Sequence, residues 1–221
     1  MDRLSDSLSA EYRLRFAKSA RYRQSVWKIL TKQYFQSQVG SHSSILDLGC
    51  GWGEFINHIQ AKEKYAMDLN PEAQEHLSAD VSFIHQSCAQ QWPLPHNALD
   101  VVFTSNFLEH LPTKEELLKT LTEAHLRLEK GGLIICLGPN IRYTGGAYWD
   151  FFDHYIPLSE ASLSEALQLS GFQIEQCLPR FLPYTMSDGK QAPLWCVSLY
   201  LRLPFLWRFF GKQFLVIARK T

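Results

Sequence analysis

The chain has 221 residues, and its 22 Lys and Arg side chains balance 22 Asp and Glu side chains, so its formal net charge is zero. A chain of this length can bury a full hydrophobic core as one domain, and its balanced charge argues against a nucleic acid as an obligatory partner. Five cysteines without paired spacing indicate a reduced, cytoplasmic protein, and we expect neither a signal peptide nor a transmembrane helix.

A basic amphipathic stretch precedes the first predicted strand. From Glu11 to Lys32 the basic side chains are accompanied by one acid, Glu11 itself, while apolar residues recur at near-helical spacing. The basic residues are Arg13, Arg15, Lys18, Arg21, Arg23, Lys28 and Lys32. The pattern predicts a helical cap over residues 1–42, whose cationic face is either simply solvated or an anion-binding surface.

A strand, a glycine turn and the start of a helix are predicted next. Gly49, Gly51 and Gly53 alternate with other residues after Asp47, so the backbone can turn sharply and approach a ligand closely. The apolar run before the glycines suits a buried parallel strand, and the apolar spacing after them predicts a helix through Ile59. Amides at the N-terminus of that helix would bind a polar or anionic group. A dinucleotide site usually has the different spacing G-x-G-x-x-G.

Two further predicted strands end in polar residues. The strand Tyr65–Met67 runs into Asp68-Leu69 about 20 residues after the first glycine, where a carboxylate can accept both hydroxyls of a ribose. The strand Val81–Ile84 runs out near Ser87-Cys88. The spacing therefore predicts that Asp68 binds a nucleoside.

The fourth and fifth predicted strands flank another polar segment. Leu99–Phe103 is typical of a strand and leads into Asn106 and then Glu109-His110. Leu128–Ile135 contains the end of a helix, a glycine turn and the fifth strand, and its glycines fit a helix C-terminus.

Together these motifs resemble those of the class I S-adenosylmethionine (SAM)-dependent methyltransferases. The form D-x-G-x-G-x-G resembles the family's motif I, and Leu99–Leu111 is similar to its segment F-D-x-V-x-x-x-x-x-x-E-H. The resemblance covers residues 43–177 and implies a doubly wound, Rossmann-like α/β sheet of seven strands, mostly parallel with an antiparallel C-terminal strand. Residues 43–137 would form the cofactor-binding half, and residues 138–221 would supply the acceptor-side insertion, the last strands and an aromatic helical segment.

The resemblance also implies which residues bind SAM, with Asn106 near its methionine end. They are Asp47, Gly49, Cys50, Gly51, Asp68, Leu69, Ser87, Cys88 and Asn106. In the family the position of Cys88 is commonly an aspartate that accepts a hydrogen bond from adenine. Because cysteine is a poor acceptor, we expect adenine recognition to use backbone groups of residues 87–89.

The acceptor side is predicted between the fifth strand and a helix that Ser159 caps. The segment Tyr148–Tyr155 combines flat aromatic walls with polar groups, which favours a binding role over a packed aromatic connector. For an oxygen acceptor, His110 and His154 are the candidate bases, and Asp153 would orient His154.

A metal-assisted mechanism is an alternative use of the same residues. Glu109, His110 and His154 resemble the ligand sets of metal-assisted O-methyltransferases of ubiquinone biosynthesis and of small RNA, which carry E-x-x-E-H. Asn106 stands where those groups have a further carboxylate, so the set is weaker for a divalent cation. We therefore favour catalysis without a metal.

The segment from Leu194 to Phe210 is dense in aromatic residues and leucine and is interrupted by Pro204. It predicts either core helices or a lid over an apolar substrate, or two short helices that lie on a membrane surface. Strands are predicted on either side of it, at Phe172–Cys177 and Gln213–Ala218.

The predicted function is transfer of a methyl group from SAM to a hydroxyl of a saccharide, a lipid-linked or a small-molecule acceptor. Similarity of the whole chain to bacterial methyltransferases of glycan-assembly loci implies the saccharide or lipid-linked acceptor. The alternatives are N- or C-methylation of a small metabolite and a SAM-binding regulatory subunit without catalysis. We expect no nucleic-acid partner, and peripheral contact with the inner face of a membrane is the remaining partner hypothesis.

Overall fold

A seven-stranded sheet runs through the computed structural model, which describes residues 10, 12–15, 17–184 and 191–221. The strands are β1 (Ser44–Leu48), β2 (Glu63–Asp68), β3 (Val81–His85), β4 (Leu99–Ser105), β5 (Leu128–Pro139), β6 (Phe172–Leu178) and β7 (Gln213–Lys220). Their order is β3-β2-β1-β4-β5-β7-β6, and only β7 runs antiparallel to its neighbours. This confirms the predicted Rossmann-like sheet with its antiparallel C-terminal strand.

The strand order reverses between β1 and β4. Chain connections leave these two neighbouring strands in opposite directions, so a crevice opens at their carboxyl ends, where ligands of such sheets bind. The apolar run of β1 supports this centre, because Ile45, Leu46 and Leu48 are fully buried.

Helices cover both faces of the sheet. They are α1 (Ala20–Gln33), α2 (Ala73–His76), α3 (Lys114–Arg127), α4 (Ile141–Thr144), α5 (Glu160–Leu169), α6 (Leu194–Arg202) and α7 (Pro204–Phe210). Short 3-10 turns occupy Ala17–Ser19, Phe35–Ser37, Leu108–His110 and Gly145–Asp150. The helices α3 and α5 contribute to the core on one face, and α1 and α6 contribute to the core on the other.

The helix predicted after the glycine turn is not formed. Residues 51–58 are a succession of turns, and Gly53 has a φ of +70°, which an α-helix does not accommodate. The apolar residues Phe55, Ile56 and Ile59 are nevertheless buried. A ligand at this edge therefore meets the amides of a turn rather than those of a helix N-terminus.

Two other elements differ from the sequence expectation. The glycines expected at a helix C-terminus lie inside β5, because α3 already ends at Arg127 and Gly131 adopts a φ of +85° within the strand. The basic N-terminal stretch is divided into helical residues 12–15, a 3-10 turn and α1, whereas Glu11 lies outside the described residues.

The C-terminal half agrees with its predicted elements. Ser159 caps α5, since its hydroxyl accepts a hydrogen bond from the amide of Ser162, and Pro204 separates α6 from α7. Among the described residues, no helix has both the length and the apolar character that crossing a bilayer requires.

Candidate active site

The glycine turn that follows β1 lies against two aromatic side chains. Gly49 and Gly51 have φ values of +71° and +53°, in the left-handed region that glycine adopts without steric cost. A Cβ atom at Gly49 would lie 2.2 Å from the ring of Phe107, and one at Gly51 would lie 2.0 Å from the hydroxyl oxygen of Tyr12. A side chain at either position would displace an aromatic residue, so the turn requires glycine at both.

Asp68, at the carboxyl end of β2, is fixed by the same turn. Its Oδ2 accepts a hydrogen bond of 2.9 Å from the amide of Gly51, and its Oδ1 accepts one of 2.8 Å from the amide of Asn70. Burial raises the pKa of Asp68, although these backbone hydrogen bonds oppose the shift. Each carboxylate oxygen can accept a further bond, so the group suits the two hydroxyls of a ribose.

Two more carboxylates lie close to Asp68. Asp47 is buried, and burial together with the charges of Glu54 and Asp68 raises its pKa well above the ordinary value. Arg23 pairs with Glu54 at 2.8 Å and so balances one of the three charges. The remaining negative charge favours a cation, and SAM carries a sulfonium and an ammonium group. The turn therefore fits SAM in charge.

The segment that was predicted to bind adenine, residues 87–89, is partly buried in the hydrophobic core. The thiol of Cys88 accepts a hydrogen bond of 3.3 Å from the Thr120 hydroxyl, and the Cys88 carbonyl accepts one of 2.8 Å from the Trp92 indole. The hydroxyl of Ser87 accepts one of 3.4 Å from the amide of Ala89. Because the Cys88 side chain is committed to the core, the backbone is what this segment can offer to a ligand.

The other predicted SAM-binding residues differ in accessibility. Leu69 is 41% exposed directly after β2, and Cys50 is buried inside the glycine turn. Asn106 follows β4 with a φ of +49°, and its exposed amide nitrogen donates to the Ser105 hydroxyl at 2.9 Å. Leu69 and Asn106 are thus accessible at the sheet edge that carries the glycine turn.

His110 and His154, the two candidate bases, lie side by side. Their ring centroids are 4.7 Å apart, with the planes at 73°. The carbonyl of Glu109 accepts hydrogen bonds from the amides of Tyr155 at 2.9 Å and Ile156 at 3.2 Å. These two bonds fasten the acceptor-side segment to the 3-10 turn after β4 and bring the histidines together.

Asp153 pairs with His110, so the expectation that it orients His154 was wrong. Its Oδ2 and its carbonyl oxygen each lie 3.0 Å from His110 Nδ1. The ring of His154 instead lies among aromatic rings, with its centroid 5.1 Å from that of Phe151 and 4.8 Å from that of Tyr148. Because Nδ1 of His110 is engaged, its Nε2 is the nitrogen left for an acceptor.

Arg15 holds the Asp153 carboxylate from a second direction. Its two terminal nitrogens donate hydrogen bonds of 2.9 Å and 2.6 Å to the two carboxylate oxygens. This bidentate geometry is the strong and directional form of an ion pair. Arg15 therefore holds Asp153 in place, and Asp153 in turn fixes the imidazole ring of His110.

The surroundings separate the pKa values of these groups. Burial opposes protonation of His110, but its hydrogen bond to Asp153 and the charges of Glu109 and Asp153 outweigh burial and raise its pKa. Burial and the charge of His110 lower the pKa of His154 to about 4. Burial raises the pKa of Glu109 to about 7. The pKa of Asp153 falls well below its ordinary range, because its bonds to His110 and Arg15 outweigh burial.

Glu109, His110 and His154 could also hold a metal ion. Each offers one ligand atom, and these atoms lie within 4.8 Å of one another. The orphaned Nδ1 of His154, which is buried without a hydrogen-bond partner, is consistent with a site of this kind. Asn106, in contrast, is exposed and bonded to Ser105, so it does not complete the set.

A helical turn at residues 12–15 contacts both halves of the site. The Tyr12 hydroxyl lies at Gly51, and its ring centroid is 5.3 Å from that of Trp52. Arg15, on the same side of the turn, binds Asp153. Residues three apart in a helix are separated by about 4.5 Å along its axis, so this single turn connects the glycine turn with the Asp153–His110 pair.

Sequence reasoning did not assign Tyr12 or Arg15 to the site. The basic stretch was the available signal for Arg15, and that stretch does not distinguish Arg15 from six similar residues. Glu109 was identified as a weak metal candidate, but a carboxyl group that titrates near neutrality follows from its burial, which the sequence did not reveal.

Comparison with known proteins assigns this architecture to a family. A family model described as "Methyltransferase domain" matches residues 19–177. A relative from Mycolicibacterium smegmatis, named "Probable S-adenosylmethionine-dependent methyltransferase", is 28% identical over 144 residues, which are 62% of this chain and 54% of the relative. The chain thus spans about half the length of that relative.

Solved structures share the fold at low sequence identity. A SAM-dependent methyltransferase of Archaeoglobus fulgidus aligns over 93% of this chain and 99% of its own, with a TM-score of 0.68 and 19% identity. A Thermotoga maritima protein described as a possible histamine N-methyltransferase aligns over 96% and 99%, with a TM-score of 0.68 and 14% identity. The [4+2]-cyclase SpnF aligns over 87% and 80%, with a TM-score of 0.60 and 20% identity. At such identities these proteins establish the fold alone.

Proposed function

The chain belongs to the methyltransferase-domain family, and we propose that it transfers a methyl group from SAM to an oxygen atom of its acceptor. The observation that chiefly supports this proposal is the Asp153–His110 pair beside the glycine turn. The pair joins an oriented imidazole to a carboxylate, and the helical turn of residues 12–15 links it to Gly51.

Bound SAM would supply an electrophilic methyl group on its sulfonium. Asp68 would accept the ribose hydroxyls, and the negative charge that Asp47, Glu54 and Asp68 retain beyond Arg23 would attract the cationic methionine end. Tyr12 and Phe107 cover the glycine turn and would keep water from it. Because displacement at a methyl group depends mainly on alignment, these positioning roles account for much of the expected catalysis.

An acceptor hydroxyl needs a group that takes its proton. We assign this role to Nε2 of His110, since Nδ1 is held by Asp153. Asp153 would stabilise the imidazolium that forms, and Arg15 would position Asp153. His154 is neutral at physiological pH because its pKa is about 4, so it would act as a hydrogen-bonding group rather than as a cation.

A saccharide or lipid-linked alcohol is the acceptor class that we favour. Three aromatic side chains of the acceptor-side segment, Trp149, Phe152 and Tyr155, are more than half exposed around His154. Flat apolar surfaces next to a few polar groups suit a sugar ring, which has an apolar face and hydroxyls at its edge. The five cysteines are all free, which supports a cytoplasmic, reducing location.

N-methylation of a small amine is the second candidate. The Thermotoga maritima neighbour is described as a possible histamine N-methyltransferase, and Glu109, with a pKa of about 7, could take a proton from an ammonium acceptor. The acceptor atom identified in the labelled product distinguishes the two candidates.

The test is incubation of purified protein and SAM labelled in its methyl group with fractionated cell extract, followed by identification of the labelled product. The wild type should transfer label to an oxygen atom. His110→Ala should abolish transfer while SAM binding by calorimetry remains, and Asp68→Ala should weaken SAM binding about 10- to 150-fold, as expected for loss of hydrogen bonds to a charged group. Failure of the wild type to bind SAM would refute the proposal.

A further inference from the structure

The helices α6 and α7, here called the aromatic helix pair, expose large apolar side chains to solvent. Trp195 is 67% exposed, Phe205 is 62% exposed and Phe209 is 68% exposed, and Leu199 and Phe210 are exposed as well. Soluble proteins seldom leave so many large apolar groups uncovered in one short segment, and such patches usually mark a contact surface.

Packing of the core does not explain these residues. The pair is attached to the protein by its other side, where Leu201 is buried. The Trp207 indole joins the two helices of the pair by donating to the Tyr200 carbonyl at 2.9 Å. The Tyr200 hydroxyl donates to the Phe181 carbonyl at 2.6 Å, and Arg180 donates to the carbonyl of Gly211 at 2.8 Å. The helices are thus held firmly while their outer aromatic side chains remain uncovered.

The charged side chains of the aromatic helix pair are all basic. The sequence from residue 191 to residue 221 contains no Asp or Glu, and Arg202 and Arg208 are exposed on the pair. Neither arginine forms an ion pair with the residues that the structure describes. Aromatic side chains next to arginines, without acids, match the headgroup boundary of a membrane that carries negative charge.

The helix α1 extends this basic surface, because it packs beside α6. The amide of Gln33 donates to the Ser198 hydroxyl at 2.7 Å, and the Tyr22 hydroxyl donates to the Ala192 carbonyl at 2.8 Å. The exposed cations Arg21, Lys28 and Lys32 lie on one stripe of α1. No acid occurs between residues 12 and 46, so α1 adds positive charge beside the aromatic helix pair without opposing it.

A groove lies beside helix α7 of the aromatic helix pair. It is lined on one side by Trp207 and Arg208 of α7 and on the other by Tyr143 of α4 and by Arg180. The guanidinium of Arg180 lies 4.8 Å from the centroid of the Tyr143 ring. Arg180 and Arg208 therefore line a groove at α7 whose charge suits a phosphate-bearing headgroup.

We propose that the aromatic helix pair, together with the basic stripe of α1, docks the protein on a phospholipid bilayer that contains anionic lipid. The helices have nine and seven residues and are too short to span a bilayer, so they lie along its surface. Docking goes beyond methyl transfer and does not require it, because the surface is separate from the SAM-binding turn and the histidine pair.

The experiment is co-sedimentation of the full chain with vesicles of phosphatidylcholine, with and without phosphatidylglycerol. The wild type should sediment with the anionic vesicles, and binding should decrease as salt is added. The double substitution Phe205→Ser, Phe209→Ser and the double substitution Arg202→Glu, Arg208→Glu should each weaken partitioning at least roughly tenfold.

Matched variants control for general changes of the surface. Leu118→Ser with Leu169→Ser removes exposed apolar residues from α3 and α5, and Lys114→Glu with Lys119→Glu reverses exposed charges on α3. Both controls should sediment as the wild type does. SAM affinity and the midpoint of thermal unfolding should be the same in all variants, so that a loss of vesicle binding is not a loss of fold.

Three outcomes would overturn the proposal. The first is a wild type that sediments with neither kind of vesicle, and the second is equal sedimentation of the wild type and the aromatic-pair variants. The third is a wild type that self-associates in gel filtration through Phe205 and Phe209 without binding vesicles, which would make this face a protein interface. None of these outcomes bears on SAM binding, so the proposed function is tested separately.

Discussion

Arg15 and Asp153 are 138 positions apart in the sequence and form a two-point ion pair, and the same carboxylate contacts His110. In the proposed mechanism, the N-terminal turn thereby helps to hold the candidate base. Arg15→Gln should lower kcat roughly 10- to 100-fold, because the carboxylate that orients His110 loses its second anchor. Steady-state kinetics should show a smaller change in KM for SAM, and Arg15→Lys should recover part of the rate. Equal kcat in Arg15→Gln and wild type would exclude a positioning role.

The pH dependence of the reaction should report the pKa of His110. That pKa is raised, so His110 becomes neutral, and competent as a base, only above the ordinary histidine range. Asp153→Asn removes the charge that helps to raise it, and the acidic limb of the kcat/KM profile should therefore move to lower pH while the plateau rate falls. A limb that does not move would show that another group is the base.

Substitution of Gly51 should act on the cofactor site through steric conflict. Gly51 and Gly145 both have positive φ, at +53° and +56°, but a Cβ meets the Tyr12 hydroxyl at Gly51 and meets nothing within 4 Å at Gly145. Gly145→Ala therefore controls for the backbone strain of an alanine at positive φ without the steric conflict. Gly51→Ala should lose SAM affinity at least roughly tenfold in calorimetry, whereas Gly145→Ala should bind SAM normally. Equal affinity in the two variants would contradict the role of the turn.

Chelation should leave methyl transfer intact. Glu109, His110 and His154 can approach one ion, but Asn106 is exposed and His110 is already ordered by Asp153. We therefore expect full activity after dialysis against EDTA and no stimulation by Mg²⁺ or Mn²⁺. Loss of activity with EDTA that Mn²⁺ restores would instead assign the three residues to a metal site.

Glu109 should make the protein less stable at neutral pH than at pH 4.5. Its pKa is raised from 4.5 to about 7 in the folded protein, so the folded state retains a proton that the unfolded state releases between these values. The free energy of unfolding should therefore fall as pH rises through this window, by roughly 3 kcal/mol in total, and Glu109→Gln should remove that part of the fall. Urea unfolding at pH 4.5 and pH 8 measures the difference, and a Glu109→Gln variant with the wild-type pH dependence would refute it.

The sheet and the place of Asp68 at the end of β2 were predictable because they depend on local pattern. Runs of apolar residues identified the strands, and the distance from Gly49 to Asp68 located the carboxylate at the end of β2. The prediction of a helix after the glycine turn was wrong because apolar spacing does not reveal the backbone angle of Gly53. The predicted partner of Asp153 was wrong for a different reason. The sequence offered two histidines as partners without distinguishing them, and tertiary packing places His110 against Asp153. The contact of Arg15 with Asp153 joins segments too distant for any local pattern to predict.

The position of β7 in the sheet has a consequence for the growing chain. Because β7 lies between β5 and β6, the strand β6 has no neighbour in the sheet until residues 213–220 have been synthesised. The first five strands can pair as they leave the ribosome, whereas α6 and α7 emerge while the edges of β5 and β6 are still open. A nascent chain stalled between residues 210 and 213 would present bare aromatic side chains and two unpaired strand edges together, which is the combination that most readily aggregates.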